Sequence, residues 1–274
     1  VWTTCLVFFQ SVLLAGYAYA DWTTRLGVRR QALLHVALLA LSLACLPILA
    51  SGAWKPHGDE EPITRILLLL AVTIGLPYFL LSTTTPLLQA WYWRRWRQTV
   101  PYRLFALSNL ASLLALLGFP VLFEPAFDLK TLGWGWSFLF VGFALLCAGA
   151  AWLSMNGNGV QEKVIPKEKL SASSQLQWLA LAAMGSVMLL AVTNHITQNI
   201  ASVPFLWVLP LSLYLLTFVI AFEGRGGRGW YEQNWWLFIT LVLLVGMAAG
   251  LSASRGVLDV GVAVPLYTVG MFFA

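Results

Sequence analysis

The densest run of chemistry-bearing side chains is TNHITQN, where Thr193, Asn194, His195, Thr197, Gln198 and Asn199 interrupt an otherwise apolar stretch. On a helix, Asn194 and Gln198 share one face, and His195, Asn199 and Ser202 share an adjacent one. An imidazole among amides can hydrogen-bond a polar solute or exchange a proton near neutrality. The set supplies no nucleophile, acid pair or metal-ligand group, so an intramembrane enzyme is disfavoured. Two readings stand open for Asn194, His195, Gln198 and Asn199. They form a substrate-facing polar pocket, or they serve interhelical hydrogen bonds and an interfacial turn.

A second group lies within GLPYFLLSTTTPLLQAWYWRRW, residues 75–96. Ser82, Thr83, Thr84 and Thr85 stand between Pro77 and Pro86, where hydroxyls can satisfy the backbone groups that prolines free. Ser108, Asn109 and Ser112 fall at matching depth in the next apolar run. A hydrogen-bonded contact between the third and fourth helices, or the lining of a pathway, would explain Ser82 to Thr85 together with Ser108 and Asn109.

Other motifs dissolve on inspection. GRGGRG, residues 224–229, satisfies the dinucleotide-loop pattern, but an apolar run precedes it instead of a βαβ strand, so it reads as a basic loop. Cys5, Cys45 and Cys147 each stand alone in apolar sequence, which indicates neither a disulfide framework nor a metal site. No cofactor is expected. His35, close to Arg29 and Arg30, reads as interfacial, and no Asp, Glu, Lys or Arg falls in mid-span. Ion coupling, which usually needs such a charge, is therefore disfavoured.

These side chains must be carried by membrane helices. Of the 274 residues, 59% are apolar and 10% charged, and the mean hydropathy is +0.79. A soluble domain carries about 25% charged residues. The net charge of +5 is spread over short loops, not gathered on one face, which argues against nucleic acid. Taking about 20 residues per span, helices are expected at residues 1–20, 31–53, 63–88, 103–123, 134–154, 176–200, 203–222, 235–253 and 257–274. The fold class is thus an all-α polytopic transmembrane bundle. Tryptophans 2, 22, 54, 91, 134, 136, 152, 178, 235 and 236 cluster at the proposed ends as an aromatic belt.

Positive charge alternates between the loops. Twelve Lys and Arg residues, from Arg25, Arg29 and Arg30 through Arg94 and Arg95 to Arg225 and Arg228, fall in one set, and four fall in the other. The rich set is expected in the cytoplasm and residue 1 on the outer side. The polar stretch 155–175 reads as a cytoplasmic linker between a first bundle, residues 1–154, and a second, residues 176–274. Gly246 and Gly250 form a G-x-x-x-G pair, suited to close packing within the chain or to a homo-oligomer. The chain opens and closes inside apolar runs without an initiating Met, which predicts a piece of a longer protein.

Four strings together carry a resemblance: VWTTCLVFFQSVLLAGYAYA (1–20), GLPYFLLSTTTPLLQAW (75–91), PYRLFALSNLASLLALLGFPVLFEP (101–125) and TQNIASVPFLWVLPLSLYLLTF (197–218). They resemble the membrane region of bacterial fusion proteins in which a major-facilitator-like part precedes a spermidine-synthase-like domain. Ala111 stands where that family would have Gly, and Asn199 where it would have Asp. The resemblance implies the inner membrane of a bacterium, two bundles of the major facilitator type and a polyamine-like solute. It implies either a transporter-like or solute-sensing module, or a passive anchor for a synthase-like domain that these residues do not contain. Aminopropyl-transfer chemistry is not expected within this chain.

Overall fold

A computed structural model describes residues 2–50, 54, 61–96, 103–156, 171–200, 206–223, 233–253 and 259–274. Among them are nine apolar helices and no strand. They are α1 (Thr3–Leu26), α2 (Val28–Cys45), α3 (Pro62–Trp96), α4 (Leu104–Ala126), α5 (Leu129–Met155), α6 (Ala172–Asn199), α7 (Val208–Phe222), α8 (Trp235–Ser252) and α9 (Val260–Phe273). Seven are long and apolar enough to cross a bilayer. The exceptions, α7 and α9, have 15 and 14 residues, short of the about 20 that a span needs. The GRGGRG loop, most of the 155–175 linker and the junction 201–205 lie outside the described residues.

The packing is that of a multi-pass membrane protein. On α5 the inward stripe is Ser137, Phe140, Ala144, Cys147 and Ala151, mostly small. The outward face carries Phe138, Leu139 and Leu146, 71, 74 and 77% exposed. In water this arrangement would be inside out. In lipid the tails solvate large side chains, and small ones let helix backbones approach. The expected tryptophan belt is largely outward too, with Trp22, Trp134, Trp136, Trp152, Trp178 and Trp235 exposed.

The helices fall into two compact units that differ from the division expected at the linker. The first comprises residues 1–100 and 126–163, and the second residues 101–125 and 164–274. Residues 103–123, expected in the first bundle, belong to the second because α4 packs along α7, with the Phe105 and Phe222 rings 5.5 Å apart. Chain order does not report such an exchange.

In the first unit α1 and α3 run parallel. Phe9 meets Tyr78 edge-on at 4.9 Å, and Gly16 lies so close to Ser82 that a Cβ there would collide with its hydroxyl. α2 runs antiparallel to α5, from Ala32 beside Ala151 to Leu39 beside Ala144 and Cys147. Gly27, at a φ of +80° that other residues rarely adopt, separates α1 from α2. α2 stops at Cys45, not at residue 53 as expected, because Pro47 forces Leu46 into an extended conformation. The chain then crosses to α5, where the Ile48 N–H donates to the Ser137 hydroxyl at 3.0 Å.

α3 continues through both prolines to Trp96, eight residues beyond its expected end. A wide π turn at Ala71–Gly75 contains the Thr73 carbonyl with which the Pro77 ring would otherwise clash. The hydroxyls do not repair the proline breaks as expected. Thr73 donates to the Leu69 carbonyl, Ser82 to Phe79, and Thr83 and Thr84 to Leu80. None of these acceptors is a carbonyl that Pro77 or Pro86 frees.

The second unit is centred on Val192 and Ile196 of α6, Met247 of α8, and Ala263, Tyr267 and Met271 of α9. α8 and α9 are antiparallel, joined by Thr240 donating to the Phe273 carbonyl at 2.6 Å and Tyr267 donating to the Met247 carbonyl at 3.3 Å. Gly246 of the G-x-x-x-G pair faces Leu266 of α9, and Gly250 is buried.

Candidate functional site

The residues singled out from sequence fall in both units. Within TNHITQN, Asn194, Gln198 and Asn199 are exposed and His195 is half-buried. The His195 ring meets Tyr267 edge-on with centroids 4.5 Å apart, and its Nδ1 is 3.2 Å from the Asn199 amide nitrogen. A wide turn at Ile196–Ile200 carries the last of these residues. At about 1.5 Å per residue, Gln198 stands roughly 33 Å along α6 from Leu176, beyond the hydrocarbon core of about 30 Å.

Ser82 and Thr83 are buried, Thr84 is half-buried and Thr85 is exposed. Ser108 is exposed, whereas Asn109 is half-buried and donates to the Phe105 carbonyl at 2.8 Å. Ser112 donates to the Ser108 carbonyl at 3.1 Å. The hydroxyls of Ser82, Thr83, Thr84 and Ser112 and the Asn109 amide thus bond carbonyls of their own helices.

Among the described residues, the densest buried polar cluster lies at one end of the first unit. Gln31, on the second turn of α2, is fully buried. Its Oε1 accepts from Trp91 Nε1 at 3.2 Å and from an Arg94 guanidinium nitrogen at 2.7 Å. Its Nε2 donates to the Thr23 hydroxyl at 3.0 Å, and that hydroxyl donates to the Tyr19 carbonyl at 2.8 Å. Indole and guanidinium only donate, so the amide has one orientation that satisfies every partner. The second guanidinium nitrogen of Arg94 donates to the Thr24 carbonyl at 3.0 Å.

Trp91 is therefore not part of the headgroup belt but buried at 4% exposure. The continued helix of α3 turns it and Arg94, three residues on, toward α2. Arg95 reaches the other way and donates to the Leu153 carbonyl of α5 at 2.7 Å. Two arginines thus neutralise carbonyls near the C-terminal ends of α1 and α5, where the helix dipole is negative. The ends of α1, α3 and α5 and the start of α2 share one end of this unit, and Arg25, Arg29, Arg30, Arg94 and Arg95 share it with them.

One turn deeper on α2 is His35, at 1% exposure. It is buried, not interfacial as expected, because α2 begins at Val28 and carries it inward. Its ring meets Trp91 at 5.9 Å, nearly perpendicular, and Tyr19 at 6.1 Å. Tyr19 in turn stands edge-on to Phe79 at 5.4 Å. His35 Nδ1 and the Tyr19 hydroxyl are both buried without a hydrogen-bond partner. Each such orphan costs about 1–3 kcal/mol. Both stand beside the satisfied network around Gln31. The sequence held a signal for it: Gln31, His35 and Ser42 recur at intervals of four and seven along an apolar run, one stripe of a helix.

No protein-family model, curated protein or solved structure matches this chain.

Proposed function

We propose that this membrane protein is a transporter-like or solute-sensing module, with its polar work centred on the Tyr19, Gln31, His35, Trp91 and Arg94 cluster. The observation that carries the reading is the pair of buried, unpartnered groups on His35 and Tyr19 beside the satisfied Gln31 bridge. A passive anchor gains nothing from such a pair and bears its cost. The arginine-rich end of the first unit is assigned to the cytoplasmic side of a bacterial inner membrane, in keeping with the positive-inside rule.

The other reading, an anchor for a synthase-like domain outside these residues, is favoured by the hydroxyls of α3 and α4 that bond within their own helices. Flux separates the two. Proteoliposomes holding the chain are loaded with radiolabelled spermidine or radiolabelled lactate and compared with protein-free vesicles. The module reading expects at least one solute to move faster, and that gain to vanish in His35→Leu at equal protein incorporation. Equal flux with and without protein leaves the anchor.

A further inference from the structure

We propose, resting on the solute-handling reading above, that Tyr19 and His35 are the contact pair of a site for a small carboxylate. The side chains around the pair come from three helices. α1 gives Tyr19, α2 gives His35 and Gln31, and α3 gives Phe79, Trp91 and Arg94. α5 lines this side of the unit with Ala144, Cys147 and Ala151, which bring no charge. A neutral imidazole presents one N–H and a phenol one O–H, and the indole N–H is already committed to Gln31.

With its proton on Nδ1, the His35 imidazole joins the Tyr19 hydroxyl as a second donor, a pair suited to the two oxygens of a carboxylate. The nearby formal charge is positive: Arg94 stands on Gln31, and Arg25, Arg29, Arg30 and Arg95 share the same end of the unit. Oxygen anions are drawn into such a field and strengthened in their hydrogen bonds. The nearest acid along α1, Asp21, is largely exposed and lies 3.6 Å from Arg25, which offsets its charge. A polyamine would bring several positive charges to a place with one guanidinium and no carboxylate among the side chains named. Trp91, Tyr19 and Phe79 wall the place with rings, which suits a ligand with a compact apolar body behind its acid group.

The test uses the 274-residue chain in lipid nanodiscs, with acetate, lactate, benzoate and spermidine as probes. The readout is the unfolding temperature with and without each probe. The wild type is expected to be stabilised by at least one carboxylate and not by spermidine. In the Tyr19→Phe/His35→Leu double variant that stabilisation is lost. The replacements remove groups that have no protein partner, so they orphan nothing and the variant is expected to fold. Stabilisation by spermidine, lost in the double variant, overturns the carboxylate class. Stabilisation by no probe, the result if water alone fills the place, overturns the site. If no probe stabilises the wild type yet flux still falls in His35→Leu, this inference fails while the solute-handling reading stands; if neither binding nor flux responds, both fail.

Discussion

Gln31 and Arg94, sixty-three positions apart, meet at 2.7 Å through one carbonyl oxygen that also accepts from Trp91. That oxygen ties α2 to α3 where neither backbone can bond to the other. Gln31→Leu removes it and leaves an indole N–H buried without a partner, a loss of about 1–3 kcal/mol. Gln31→Glu keeps both acceptor contacts and gains a charge opposite Arg94, so it is expected to lose less than about 1 kcal/mol. Denaturation in nanodiscs should rank the wild type and Glu variant above the Leu variant. Equal stability of the Leu variant would mean the bridge is not made.

Gly16 and Ser82 set the spacing of α1 and α3. A methyl group at Gly16 meets the Ser82 hydroxyl, and the Phe79 carbonyl lies 3.3 Å behind it. Gly16→Ala is therefore expected to cost about 1–3 kcal/mol through overpacking. Ser82→Ala alone should cost less than about 1 kcal/mol, since its hydroxyl only doubles up on a carbonyl of its own helix. Combined, the two should recover part of the loss but not all of it, because the Ser82 Cβ would remain 3.1 Å away. A double-mutant cycle measures that coupling, and strict additivity would count against the close approach.

In the second unit His195 and Tyr267 meet edge-on, whereas Asn194 and Gln198 are exposed. His195→Ala should lower stability by about 0.5–1.5 kcal/mol through the lost ring contact. Asn194→Ala and Gln198→Ala should each stay within about 0.5 kcal/mol of the wild type. Spermidine and lactate flux through either amide variant is expected to match the wild type. A drop in flux at constant stability would restore this patch as a solute-contacting surface.

Sidedness is open to direct chemistry. With Cys5, Cys45 and Cys147 replaced by Ala, single cysteines at Arg30→Cys and Lys130→Cys place exposed thiols near opposite ends of the first unit. A membrane-impermeant maleimide added to intact cells should label the Lys130 variant and spare the Arg30 variant until the cells are opened. The reverse pattern would invert the positive-inside assignment.

Nine apolar runs, their approximate limits and most of the outward tryptophans were legible in the chain, because lipid demands long unbroken hydrophobicity and that demand is local. The alternation of arginines also foretold that α1, α3 and α5 end together, since each crossing reverses direction. Pro47 was a local stop signal that hydropathy concealed, as Leu46 and its neighbours are apolar whether helical or extended.

What only the tertiary structure decided was which helix faces which. In lipid an apolar side chain is equally content outward or inward, so periodicity carries little information about the inner face. The grouping of residues 101–125 with the second unit, the inward turn of Trp91 and the junction of Gln31 with Arg94 all depend on contacts between distant segments. TNHITQN drew notice because its polar residues are consecutive. The Tyr19, Gln31, His35, Trp91 and Arg94 cluster escaped it because three helices each lend one or two polar groups, and only their packing makes a site of them.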